Sequence, residues 1–364
     1  MKISIITMHA ARNYGAVLQT YALQEYMEHN GHMVEIVDYR RWNQTLLGYI
    51  LNVNKKYQSN IITRIVFIIR TIIPKMKTTI LFSKFVKKRL HLSQFQIKSS
   101  KQIELIPSAD IYCVGSDQVW NPIANSGLDC MYFWAGVNGR KISYASSIGV
   151  LNVDDEVKAA YRNYLSDFSS VSVREQTSVD LLNECEIDAT CVLDPAFLLD
   201  KDGWRDFCSG YAKESDSYLL VYYFGNAQSI MQTAKRIAKD KGLRIKRIAV
   251  GFEKYNEDDE IERFITPERF IALFLDASFV ITNSFHGTVF SINFEKEFLS
   301  YPVTENNARF MNILALFGLE NRNLRNYKND TINPINYSLV NSILERERLH
   351  SMEYLENAIG HKYE

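Results

Sequence analysis

The chain has 364 residues, 46% hydrophobic and 23% charged, with 42 Lys/Arg against 42 Asp/Glu. That size and balance suit a soluble globular protein of two ordinary domains. No window reaches the roughly 18 uninterrupted apolar residues of a spanning helix, and Met1 to Thr7 is too short for a signal peptide, so a cytoplasmic protein is expected.

In chain order, Ile3 to Thr7 predicts a buried strand. The loop Met8 to Gly15 leads to a helix over about Ala16 to Glu28, which Asn30-Gly31 ends, and Met33 to Asp38 predicts a second strand. Strand, helix and strand in so short a span form a βαβ unit, and hence a parallel sheet.

The neutral total hides an asymmetry. From Tyr39 through Ile103 there are fourteen Lys/Arg and no Asp or Glu, which leaves the rest of the chain with a net charge of −14. Such a segment suggests an anionic partner. Its most apolar part, Ile61 to Ile73, carries Arg64 and Arg70 and is expected to stop at Pro74. Two readings are open: a helix lying in a membrane interface, or a helix packed on the domain with its polar stripe in water. The second is preferred.

Further strands are predicted at Ile111 to Val114, Lys141 to Ala145, Ser170 to Val173 and Thr190 to Leu193, with a helix at about Asp154 to Phe168. Each strand delivers polar residues at its carboxyl end, as a single ligand crevice requires. A domain boundary is expected near Lys201 to Ser217. The second half restarts with strand Tyr218 to Tyr223, helix Ala227 to Lys241 and strand Ile245 to Val250. A helix opening at Thr266-Pro267-Glu268 comes next, with a Thr cap and Pro in its first turn. Strands Phe279 to Thr282 and Phe298 to Tyr301 follow, then helices at Asn307 to Phe317 and Leu339 to Ala358. Two Rossmann-like α/β domains facing across a cleft are the economical arrangement: 1–200 with a basic helical insertion at about 41–105, then 201–335, then a C-terminal helix over 336–364.

Walker, G-x-G-x-x-G, H-E-x-x-H and G-x-S-x-G motifs are all missing. The seven His form no ligand spacing. The five Cys show no C-x-x-C pair, and Cys113 and Cys191 read as buried free thiols. Neither a metal nor a nucleic-acid partner is expected. What remains are loops at strand ends. The most informative is Asn283-Ser284-Phe285-His286-Gly287, a strand-to-helix turn where backbone N–H groups favour an anion.

The ordered set Asn13-Tyr14-Gly15-Ala16-Val17-Leu18-Gln19, Gly115-Ser116-Asp117-Gln118-Val119-Trp120-Asn121-Pro122, Ser172-Val173-Arg174-Glu175, Leu193-Asp194-Pro195 and Ser284-Phe285-His286-Gly287 resembles the polysaccharide pyruvyl transferase family. The resemblance implies a GT-B-like fold and transfer of a pyruvyl group from phosphoenolpyruvate to a sugar, with no cofactor beyond that donor. It matches donor-binding roles to His286 and Arg174. Asn283, Ser284 and Gly287 are grouped with them, although members often carry Arg where this chain has Ser284. His286 is expected to be the general acid and Asp117 the base. Asn13, Tyr14, Gly15, Ser116, Gln118 and Trp120 are assigned to the acceptor, with Trp120 either a stacking platform or a packed aromatic. The acceptor is expected to be a surface-polysaccharide sugar or its lipid-linked precursor, and the interfacial reading of residues 61–89 would bring it to the inner membrane surface. A nucleotide-sugar glycosyltransferase, or a non-enzymatic sugar- or membrane-binding protein on the same scaffold, are the alternatives.

Overall fold

The computed structural model describes residues 1–52, 60–225, 228–249, 260–301, 308–326 and 333–360. The expected helix start at Ala227, strand end at Val250, helix start at Asn307 and the tail 361–364 lie outside the described residues.

Two five-stranded parallel sheets organise the chain. The first holds β1 (Lys2–Ile6), β2 (Met33–Ile36), β3 (Ile111–Val114), β4 (Arg140–Ser143) and β5 (Phe168–Ser170) in the order β2-β1-β3-β4-β5. A two-stranded ladder follows, β6 (Ser172–Val173) with β7 (Thr190–Cys191). The second sheet holds β8 (Tyr218–Tyr222), β9 (Arg244–Ile248), β10 (Glu260–Glu262), β11 (Phe279–Thr282) and β12 (Glu297–Ser300) in the order β10-β9-β8-β11-β12. Strands β1, β3, β8 and β11 are apolar runs with almost every residue buried, as parallel strands covered on both faces must be. The fold is therefore α/β with two Rossmann-like domains, a GT-B-like arrangement.

Helix α1 (Tyr14–His29) runs between the domains. Asn13 caps it by accepting from the Ala16 N–H, and Gly31, at φ +81°, takes the left-handed turn beyond its end. Every residue from Gly15 to Gln24 is buried, so that stretch has no solvent face. Tyr14 stacks on Phe270 (4.5 Å between ring centres) and Tyr21 packs on Trp204 and Phe207. One apolar cluster consequently runs from Ile3 through both domains to Ile359.

Local detail departs from the sequence expectation in places. The predicted strand Ser170 to Val173 divides at Val171, because the β4–β5 register slips at Lys141/Ile142. Beyond the slip, the Ser143 and Ser172 hydroxyls bond to each other's backbone in place of ladder bonds. The stretch 201–217, where the sequence suggests a domain boundary, opens with a helix, since Asp200 caps the Gly203 N–H and Trp204 and Phe207 are buried.

The basic insertion holds two helices, α2 (Leu46–Leu51) and α3 (Ile61–Arg89). Pro74 does not end α3. A mid-helix proline forfeits a hydrogen bond and costs about 3 kcal/mol, but the next residue anchors the helix. Lys75 is buried, and its Nζ donates to the carbonyls of Tyr49, Ile50 and Asn52 at 2.9, 3.2 and 2.8 Å, satisfying the end of α2. Thr63, Arg64 and Arg70 keep the polar stripe in water as preferred, but the apolar side of the helix is not packed away. Thr71 and Lys75 face inward, while Ile61, Ile65, Ile69, Ile73, Met76 and Ile80 are between 42% and 73% exposed.

The remaining helices cover the sheets: α4 (Asp155–Leu165), α5 (Gln176–Glu184), α6 (Lys201–Phe207), α7 (Gln228–Lys241), α8 (Pro267–Asp276), α9 (Phe285–Asn293), α10 (Ala308–Leu316) and α11 (Tyr337–Gly360). Thr266 caps α8 as expected. Helix α11 straps the domains together. Its Tyr337 hydroxyl bonds to the Lys296 carbonyl, and its Tyr354 hydroxyl to that of Ser143.

Candidate active site at the two sheet switch points

In an open parallel sheet, ligands bind where neighbouring strands send their chains to opposite sides. Here those points are β1/β3 and β8/β11.

At the first, the Thr7 hydroxyl donates to the Ser116 carbonyl at 2.8 Å. The chain then turns at Asp117, whose φ of +73° lies in the left-handed region that Asp tolerates better than most residues. The Asp117 carbonyl accepts from Ser147 N–H at 3.0 Å, which extends the sheet edge toward Val173. That extension delivers Arg174 into the crevice. Its Nη1 donates to Asp194 Oδ2 at 2.7 Å and to Ser116 Oγ at 3.3 Å, and its Nε donates to Glu175 Oε1 at 3.2 Å. Asp117 Oδ1 stands 3.7 Å from Nη2. The Arg174 side chain has no exposure. Burial alone would disfavour its charge, yet Asp194, Glu175 and Asp117 together hold its pKa above arginine's ordinary value. Glu175 is itself fixed by the hydroxyls of Ser147 (2.6 Å) and Ser178 (3.0 Å). A free bidentate grip by Arg174 is thus not available: Nε and Nη1 are spent, and Nη2 is buried without a hydrogen bond.

At the second point, the Asn283 amide locks the two loops. Its Oδ1 accepts from Phe224 N–H at 2.7 Å and its Nδ2 donates to the Phe224 carbonyl at 2.8 Å. Ser284 caps α9 through the Gly287 N–H. A Cβ at Gly287 would lie 2.4 Å from Thr282 Oγ1, so glycine is required there. These three residues shape the turn that presents His286. A Cβ at Gly15 would come within 2.1 Å of His286 Nδ1, so the first turn of α1 makes room for the imidazole. His286 Nε2 is buried, lacks a hydrogen bond, and stands 3.6 Å from Asp194 Oδ2.

Asp194 therefore stands between Arg174 of the first domain and His286 of the second. Burial by itself would raise its pKa, but His286 and Arg174 pull it well below the usual carboxylate range, and the Ala196 N–H adds a bond at 3.0 Å. The sequence displayed Asp194 only as a strand-end residue beside Pro195. Its placement between Arg174 and His286 depends on three separate elements.

The acceptor assignments divide. Asn13 and Tyr14 border a cleft cavity of about 250 Å³ that also includes Arg12, Tyr222, Phe224 and Arg263. Tyr14 is half-spent on structure, donating to the Ile265 carbonyl at 3.0 Å. Ser116 is fully buried within the Arg174 cluster, and Gln118 accepts from the Asn121 amide at 2.8 Å. Trp120 is a packed aromatic rather than a platform: it has no exposure, stacks on Phe133 and donates to the Tyr132 carbonyl. Arg12 was not singled out from the sequence. It lies over the Tyr49 ring at 4.2 Å and donates to Thr79 Oγ1, and burial lowers its pKa. Among the described residues, no group of three His, Cys, Asp or Glu is placed to hold a metal.

The family model for polysaccharide pyruvyl transferase matches residues 13–304. No curated protein matches the sequence. Among solved structures, the chain is similar to UDP-GlcNAc 2-epimerase from Methanocaldococcus jannaschii (13% identity, 95% of this chain and 92% of that one, TM-score 0.45). It is also similar to the spinosyn forosaminyltransferase SpnP (10% identity, 97% and 95%, TM-score 0.46). A third is UDP-GlcNAc 2-epimerase from Neisseria meningitidis bound to UDP-GlcNAc (11% identity, 98% and 94%, TM-score 0.45).

Proposed function

Because the chain belongs to the polysaccharide pyruvyl transferase family, we propose that it moves a pyruvyl group from phosphoenolpyruvate onto two hydroxyls of a sugar, forming a ketal. One observation carries this reading: Arg174, Asp194 and His286 meet where the two switch points face each other, and among the described residues Arg174 Nη2 and His286 Nε2 are both buried with no hydrogen-bond partner. A donor with a carboxylate and a phosphate on one enol carbon offers acceptors to both.

In this scheme His286 gives a proton to the methylene carbon, and Asp194 stabilises the imidazolium that precedes transfer. One acceptor hydroxyl adds to the enol carbon. The carbon–oxygen bond to phosphate breaks, and the second hydroxyl closes the ketal. Two hydroxyl protons leave the acceptor: one balances the new methyl C–H, the other departs with phosphate. Asp117 is the proposed base, at the end of β3 beside Arg174. Incubation with phosphoenolpyruvate and a glycan panel, read by acceptor mass and phosphate release, tests the activity. Stabilisation by a nucleoside diphosphate, with no binding or consumption of phosphoenolpyruvate, would overturn it.

The acceptor is proposed to be lipid-linked and met at an anionic bilayer. The α3 isoleucines recur at helical spacing on one exposed face, within a segment that carries fourteen Lys/Arg and no acid from Tyr39 through Ile103. Among the described residues no helix is long and apolar enough to cross a membrane, so this face would lie in the interface. Co-sedimentation with phosphatidylserine vesicles should be lost in Ile69→Glu/Ile73→Glu. Equal sedimentation of that variant and the parent would remove the proposal.

A further inference from the structure

Three buried N–H donors go unanswered around a single aromatic ring. Among the described residues, Arg174 Nη2, His286 Nε2 and Arg309 Nε each lack a hydrogen-bond partner. Phe285 packs against all three side chains. Arg174 Cζ is 4.3 Å from its ring centre, the His286 ring centre 5.3 Å and Arg309 Cζ 6.0 Å.

Arg309 enters from α10, outside every loop that carried the sequence motifs. It is half-buried, and among the described residues no carboxylate or carbonyl takes a hydrogen bond from it. Its surroundings disfavour its charge: burial is the larger cause and nearby Arg174 the next, while Glu175 and Asp117 compensate in part. Buried orphan donors are rare in native proteins and usually mark an ion, a water or a functional contact. Three around one ring, two of them guanidinium groups, make an oxyanion the simplest partner. Ser284 brings no positive charge to that part, and its hydroxyl oxygen caps α9 by accepting from the Gly287 N–H.

We propose that Arg309 is an anion-binding residue of this site, making the contact to the donor's phosphate or carboxylate that Ser284 does not. The proposal rests on the reading that the site takes phosphoenolpyruvate, and the experiment separates the two. Calorimetric titration of the full chain with phosphoenolpyruvate, inorganic phosphate and pyruvate is compared with the same titrations of Arg309→Gln. Loss of one charge-assisted contact should weaken phosphoenolpyruvate binding about tenfold to a hundredfold. A parallel loss for phosphate assigns the contact to the phosphate group, and a parallel loss for pyruvate assigns it to the carboxylate. Parental affinity in a natively melting Arg309→Gln would overturn the proposal, as would a parent that binds none of the three. A parent that binds phosphate but not phosphoenolpyruvate, with phosphate binding lost in Arg309→Gln, keeps Arg309 and sinks the donor reading. If the variant does not fold, phenylglyoxal modification of the parent replaces it. Phosphate should protect Arg309 in a peptide map, and unprotected modification would count against the assignment.

Discussion

On the N-terminal side of the seam, Arg174 is enclosed by Asp194, Glu175 and Asp117, and two of its nitrogens are spent on hydrogen bonds. On the C-terminal side, His286 Nε2 and Arg309 Nε are buried with no hydrogen-bond partner among the described residues. The first arrangement is closed except at Arg174 Nη2 and reads mainly as architecture; the second is open and reads as the larger share of a binding surface. Asp194 belongs to both, since its Oδ2 lies 2.7 Å from Arg174 and 3.6 Å from His286.

If that division is right, the largest stability effect falls on the closed side. Asp194→Ala leaves a buried guanidinium without its shortest partner, and urea denaturation should show a loss of about 3–5 kcal/mol. A loss under about 1 kcal/mol would break the comparison.

The seam itself comes next. Gly15→Ala places a methyl group where the imidazole lies, so it should cost about 1–3 kcal/mol by overpacking. Turnover should fall further than that cost implies, because His286 must move. Parental kcat in this variant would show that the position of His286 does not matter.

Acid then separates the carboxylate from its surroundings. The Asp194 pKa is lower in the folded chain than the roughly 3.9 of an unfolded aspartate. Below that value the unfolded state binds more protons, so the Asp194 contribution is present at neutral pH and is lost as pH falls from about 4 downward. Asp194→Asn should flatten the acid limb of the stability profile, leaving the share of Asp38, whose pKa is also lowered despite its burial, by His9 and Arg40. An unchanged limb would mean that Asp194 is not held ionised.

The smallest stability change is expected on the open side. His286→Asn removes a group with no hydrogen bond to lose at Nε2, so stability should stay within about 1 kcal/mol. Product formation should drop about 10²–10⁴-fold, the usual contribution of a general acid. A variant that is unstable but active would reverse the roles assigned to the two sides.

Much of this was legible in sequence. Apolar runs such as Ile111–Val114 and Phe279–Thr282 have their strand bounds as read, because a strand covered on both faces needs nothing but apolar residues. The cap at Thr266 acts through the Arg269 N–H three residues on, so it too is written locally. Pro74 misled because the anchor that offsets it, Lys75 on the carbonyl end of α2, is a contact between two helices. Trp120 was left between two readings because burial of an aromatic depends on what packs around it.

Periodicity, caps and the polar ends of the strands determined an α/β chain with two parallel sheets and its loops in one crevice, since those signals act over a few residues. Tertiary structure decided that α3 turns its isoleucines outward, that Asp194 ties Arg174 to His286, and that Arg309 reaches the ring of Phe285. Those outcomes depend on how burial and charge are shared among residues up to a hundred positions or more apart, and no local pattern encodes that distribution.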